Sequence, residues 1–175
     1  MLKTAKLPST FFARDTKQVA IDLVGCKLVR QFEDGKTKRL QIAETEAYLG
    51  EKDDACHAQA GKTKRTKVMY EKPATLYVYL IYGMYDMLNI VTSQEGVPEA
   101  VLIRAVENHD GPGILTRDLN ITKDKHNGKM LGKKAGIWIE SRPDKFIREV
   151  TSAPRIGIDY ADKKWRDKKL RFCLE

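Results

Sequence analysis

The run TLYVYLIYGMYDMLNIVT, residues 75–92, decides how this chain folds. Two stretches rich in β-branched and aromatic residues flank Gly83-Met84, which reads as an antiparallel hairpin with strands over 75–82 and 86–92. Side chains alternate across a strand, so Tyr77, Tyr79 and Ile81 share one face, while Leu76, Val78, Leu80 and Tyr82 share the other. Tyr82 directly precedes Gly83, which puts its ring at the hairpin tip. The run holds four of the chain's seven tyrosines. A strand-forming core residue accounts for Tyr77. A bulky ring at an exposed tip is unfavourable unless some partner receives it.

Further strands extend the pattern outward. KLVRQF (27–32), the turn Asp34-Gly35 and a run from Thr37 to Tyr48 predict a second hairpin. VLIRAV (101–106), IWIE (137–140) and LRFCL (170–174) read as additional strands. Asp15 caps a helix that runs to Val24, with Val19, Ala20, Leu23 and Val24 inward and Gly25 as its stop. A short helical stretch over Asp53–Ala60 follows, capped by Asp53 or Asp54. The expected fold is α+β: a single domain over residues 1–175, with a curved, mostly antiparallel sheet, surrounding helices and a protruding hairpin.

The bulk composition agrees. A chain of 175 residues buries roughly 70% of the surface its unfolded form exposes. No apolar run reaches the roughly 18 residues of a membrane span, and the N-terminal segment lacks the apolar centre of a signal peptide. A cytoplasmic, monomeric protein is expected, with no membrane partner. Cys26, Cys56 and Cys173 form no CxxC pair and no zinc-spaced cluster, so neither disulfide nor metal is expected. Lys and Arg number 32 against 24 Asp and Glu, a formal net charge of +8. The excess gathers at 61–67, 123–134 and 163–169, which favours nucleic acid as partner.

Candidate chemistry begins on RLQIAETEAYLG, 39–50. Strict alternation puts Leu40, Ile42, Glu44, Glu46 and Tyr48 on one face, which offers two carboxylates and an aromatic ring at the end of an apolar surface. Such a carboxylate suits a general base. The alternative is a strand end that turns to solvent. Asp53 and Asp54 could join Glu44 and Glu46 around Mg²⁺, or cap a helix. His57 follows an acidic turn, whereas His109 and His126 read as incidental loop residues. Arg104 lies in an otherwise apolar strand and needs Glu44, Glu46 or a phosphate beside it. Asn89, between Leu88 and Ile90, needs hydrogen-bond partners for its amide.

Taken together, LPSTFFARDTKQVAIDLVGCKLVR, ETEAYLGEKDDACHA, TLYVYLIYGMYDMLN, VLIRAVE, GPGILTRDLNI and APRIGIDYADKKWRDKKLRF resemble the alkyladenine (3-methyladenine) DNA glycosylase family. They occur in the family's order from about residue 7 to the C-terminus. The resemblance implies an enzyme that flips damaged purines out of duplex DNA and hydrolyses the glycosidic bond without metal or cofactor. It implies Glu46 as general base with Arg104 beside it. Tyr48 and His57 would stack on the flipped purine, and Tyr79 would close the pocket. Asn89 would exclude guanine by crowding its exocyclic amine, and Tyr82 would fill the gap left by the base. Lys64 and Arg65 would meet the DNA backbone. Cys56, Ala58, Thr66 and Ala74 depart from common family residues without touching these positions.

Overall fold

The computed structural model describes residues 5–142 and 149–175. Eight strands form it: β1 (Lys27–Gln31), β2 (Thr37–Tyr48), β3 (Leu76–Ile81), β4 (Tyr85–Thr92), β5 (Glu99–Val106), β6 (Ile137–Glu140), β7 (Val150–Ala153) and β8 (Arg171–Leu174). Five short helices accompany them: α1 (Ser9–Phe12), α2 (Thr16–Leu23), α3 (Pro112–Asp118), α4 (Lys123–His126) and α5 (Lys163–Arg166). The pairings among the strands are antiparallel, in the order β3-β4-β5-β2-β1-β6, with β8 also on β2 and β7 on β8. Hairpin, curved antiparallel sheet and flanking helices are thus as the sequence predicts. No helix among the described residues is long and apolar enough to cross a membrane.

Strand β2 organises the molecule. Its first half pairs with β1, and its second half lies between β5 and β8. The register shifts on either side of Glu44, and these irregularities overturn the strict alternation expected over 40–48. Ile42 lies opposite Val106, Thr45 opposite Ile103 and Ala47 opposite Val101, and all six are buried. Glu46 and Tyr48 lie opposite Leu102 and Ala100, which line a cavity on the other face. A bulge of this kind re-aims the side chains beyond it. Ile42 and Glu46 therefore occupy opposite faces.

Helix α2 covers the core face. Asp15 caps it by accepting from the Gln18 N–H at 2.9 Å, and Val19, Ala20 and Leu23 reach no solvent. Burial of Val19 and of Leu23 contributes about 1.5–3 kcal/mol each. The predicted helix at 53–60 is instead a turn followed by a single 3₁₀ turn, His57–Ala60, with another, Gly50–Lys52, just before it. Asp53 caps no continuous helix because its carboxylate is drawn into an ion pair. His126, expected in a loop, closes α4 and is buried, its Nδ1 3.0 Å from the Thr122 nitrogen.

The protruding hairpin is braced from outside. Helix α3 packs so tightly on it that a Cβ on Gly113 would lie 2.9 Å from the Tyr85 ring. The Thr116 hydroxyl donates to the Asp86 carbonyl at 2.8 Å, and the Lys123 N–H donates to the Asp86 carboxylate at 2.9 Å. At the tip, Tyr82 takes a left-handed conformation with φ of 53°, a region few non-glycine residues occupy. Its side chain is 85% exposed.

Candidate active site

The face opposite α2 carries a cavity of about 690 Å³, within the usual range for a small-molecule pocket. Tyr48 of β2, His57, Arg65, Tyr79 of β3, Asn89 of β4 and Arg104 of β5 all line it, and Tyr82 stands on its rim. Six positions singled out from the sequence as base-binding, wedge or catalytic residues thus meet in one place. Lys64 lies outside that lining and is exposed.

Glu46 sits directly behind the wall. Its side chain reaches no solvent, yet it is well partnered. The backbone N–H of Ile156 donates to Oε1 at 2.9 Å, and the Tyr48 hydroxyl donates to Oε2 at 2.9 Å. Arg104 Nε lies 3.8 Å from the same carboxylate and 3.3 Å from Glu44. Burial raises the Glu46 pKa, and the Ile156 N–H, Arg104 and Tyr48 only partly offset it. A carboxylate with raised proton affinity and free lone pairs can accept a proton from water.

The two candidate glutamates separate here. Glu44 accepts from Arg171 at 2.7 Å and lies beside Arg104, so it is flanked by two cations. Asp53 is claimed by Arg155, and Asp54 accepts from the Asp162 N–H at 2.6 Å. Each carboxylate of the proposed Mg²⁺ set thus has its own donor. Among the described residues no three His, Cys, Asp or Glu gather as a metal would require.

The aromatic walls are fixed by polar contacts. His57 Nδ1 lies 3.0 Å from the Tyr77 hydroxyl, and its ring meets Tyr79 edge-on with centroids 4.5 Å apart. Burial, with Arg65 nearby, lowers the His57 pKa to about 4, so the ring is neutral near pH 7. The Arg65 guanidinium lies 5.1 Å from the Tyr79 ring centre, which makes this residue part of the cavity wall. Asn89 donates its amide to the carbonyls of Tyr77 and Met87 at 3.2 and 3.3 Å. That uses both N–H groups and leaves the amide oxygen to face the cavity.

Arg155 carries a part that the sequence reading did not assign. It pairs with Asp53 at 2.6 and 2.8 Å, donates to the Ala47 carbonyl at 3.0 Å, and lies 4.7 Å from the Tyr48 ring centre. The only hint in the sequence is an arginine in the run APRIG, 153–157, which has no apolar periodicity to mark it as buried.

Comparison with known proteins identifies the chain's relatives. Residues 10–111 and 108–175 match the model of the family described as methylpurine-DNA glycosylase (MPG). A protein of Methanocella arvoryzae is 43% identical over 175 residues, covering 89% of this chain and 86% of its own. One from Legionella pneumophila strain Lens is 43% identical over 178 residues, covering 97% and 94%. One from Wolbachia pipientis wMel is 42% identical over 185 residues, covering 100% and 97%. All three carry the name "Putative 3-methyladenine DNA glycosylase". With both matched segments spanning nearly all of its length and the resembling residues meeting in one cavity, the chain belongs to the methylpurine-DNA glycosylase family and is a DNA glycosylase.

Proposed function

We propose that this glycosylase is monofunctional and acts on flipped purines, among them 3-methyladenine, 7-methylguanine, hypoxanthine and ethenoadenine. The observation that carries the reading is Glu46: a buried carboxylate with raised pKa, held by Tyr48 and Ile156 behind a cavity with aromatic walls. Tyr82 wedges into the stack as the nucleotide leaves it. The purine enters between Tyr48 and His57, with Tyr79 at its edge. Stacking of this kind is worth about 1–3 kcal/mol per base.

Water then attacks C1′ of the deoxyribose while Glu46 takes its proton. The glycosidic bond breaks, the base departs with the bonding electrons, and an abasic site remains. Arg104 supports the step by steadying Glu46 and reaching the backbone at the lesion. Its Nε stays with the Glu44 and Glu46 carboxylates, and because the residue also lines the cavity, a phosphate or sugar oxygen can meet the rest of its guanidinium. No lysine amine takes part, and strand scission is not a product. The protein acts as a monomer on DNA in the cytoplasm.

The test is a labelled duplex with one hypoxanthine or ethenoadenine, incubated in EDTA and then treated with hot alkali. Wild type should yield breaks at the lesion only after alkali, and Glu46→Gln should bind without yielding them. Breaks before alkali would mark a lyase or nuclease. Binding with neither of these two bases excised would confine the substrate to methylpurines or mark a non-catalytic binding module.

A further inference from the structure

A second concavity, of about 330 Å³, lies between the end of β1 and the segment that runs from α4 to β6. Arg30 of β1 forms its floor, and Lys125, His126, Lys129, Lys133 and Lys134 line it. Its charge is nearly all of one sign. Glu33 is the carboxylate in the lining, and it is taken by Lys125 at 3.3 Å. Lys129, Lys133 and Lys134 have no ion-pair partner among the described residues. Arg30 is 5% exposed, yet its guanidinium donates to the carbonyls of Leu119, Asn120, Gln31 and Gly136 and to no carboxylate. Carbonyl dipoles satisfy its hydrogen bonds and leave its charge in place.

His126 reports the resulting potential. Burial is the main cause of its lowered proton affinity, and Arg30, Lys129 and Lys125 lower it further. Five cations thus line a hollow whose shape admits a compact anion, and only Lys125 among them is paired with a carboxylate among the described residues. Like charges held this close repel one another, so the arrangement is relaxed by an anionic occupant.

Position says which anion. The loop after α4 runs along the outer edge of the hairpin: the Leu76 N–H donates to the Lys129 carbonyl, and the Val78 N–H donates to Asn127. The same strand leads to Tyr82 at the tip, so the loop that carries Lys129 is tied to the strand that bears the wedge. An open hollow lined by lysines, all but Lys125 unpaired among the described residues, on a protein whose substrate is DNA, is matched in charge by the phosphate backbone.

We propose that this hollow is a second anchoring site, which takes backbone phosphates of the duplex arm beside the lesion. It rests on the glycosylase reading for the position of the wedge. Arg30 supplies a fixed, buried charge, and the three lysines supply mobile ones that follow the phosphate track. The site is built for charge and not for base readout, since its charged groups are cations apart from Glu33, which Lys125 holds. It sets affinity and register, and lesion choice stays with the first cavity.

Two measurements on the full chain test it. In the first, lesion duplexes with about four or about twelve base pairs on each side are titrated across a salt series. Wild type should show a log–log slope steeper by about 2 to 3 on the longer duplex, at roughly 0.9 per phosphate. The triple variant Lys129→Ala, Lys133→Ala, Lys134→Ala should lose that gain. A variant that keeps it overturns the proposal. Excision is followed in the same samples, so failure of the glycosylase reading is seen separately as absent alkali-labile breaks.

The second measurement needs no variant. The imidazole NMR signals of His126 are followed while undamaged duplex, and separately sodium tripolyphosphate, are added to wild type. Shifts on adding duplex place backbone phosphate in the hollow. Shifts with tripolyphosphate alone would assign the site to a free phosphate compound and overturn the nucleic-acid reading. Signals that move with neither would overturn the site itself.

Discussion

Arg155 and Asp53 face each other at 2.6 and 2.8 Å with neither side chain reaching solvent. This buried pair joins three parts of the active site. Arg155 lies against the Tyr48 ring, and the next residue, Ile156, gives its N–H to Glu46. Asp53 accepts from the N–H groups of Leu49 and Ala55, which fixes the turn that leads into His57. Pairs of this kind are poor evidence for net stability, but losing one partner leaves a buried charge alone.

Asp53→Asn should therefore destabilise the fold by about 3 to 5 kcal/mol, read from urea unfolding. Excision at a temperature where the variant remains folded should also fall, because Tyr48 and the Ile156 N–H lose their support. A stability change below about 1 kcal/mol would show that solvent or another acceptor compensates Arg155.

Glu46→Gln should abolish excision while making the protein more stable at neutral pH. The Glu46 pKa is raised on folding, so its ionisation opposes folding. Its favourable contribution is complete below the unfolded value of 4.5 and is lost as pH rises through the folded value. The Tm advantage of the variant should thus be a few °C near pH 8 and should vanish near pH 4. Thermal scans across that pH range check the sign.

For the same reason, the acid limb of the excision rate should lie above the pH of a solvated glutamate. Single-turnover rates should fall as Glu46 takes up a proton. His57 should add nothing between pH 5 and 8, since its pKa is held near 4. An imidazole signal of His57 that titrates near pH 6.5 would contradict this.

Tyr82→Gly should weaken lesion-duplex binding by roughly 10- to 100-fold, the equivalent of about 1–3 kcal/mol of lost stacking. It should not lower the Tm, because the wild-type ring is exposed and its backbone has a φ of 53°. A large drop in Tm would mean that the ring packs on the fold and does not serve as a wedge.

Asn89→Ala should relax base choice. Removing the amide opens space in the cavity wall, so excision of guanine-type bases should rise relative to hypoxanthine, measured as a ratio of single-turnover rates. Loss of the bonds to Tyr77 and Met87 should also destabilise the hairpin by about 1 to 2 kcal/mol. An unchanged ratio would show that Asn89 is structural alone.

Local signals made much of the fold legible. The helix over 16–23 and the strands at 37–48 and 137–140 follow from capping, turn chemistry and alternation. So does the exposed ring at Tyr82, because the turn that lifts it is written two residues on either side. The helices α3, α4 and α5 are too short for periodicity to show, and β7 exists only because β8 pairs with it. At the site, the residue types on β2 through β5 marked positions that meet around one cavity, although alternation alone gave the wrong neighbour for Glu46.

By itself, then, the sequence determined the strands other than β7, which residue types each carries and which family the chain joins. Those depend on contacts within a few residues of one another. Tertiary structure alone decided the bulge that turns Glu46 away from Ile42, the Arg155–Asp53 pair across 102 residues and the unneutralised cation at Arg30. Burial and distance set the pKa of a carboxylate and the charge of a pocket, and both arise only when distant segments exclude water together.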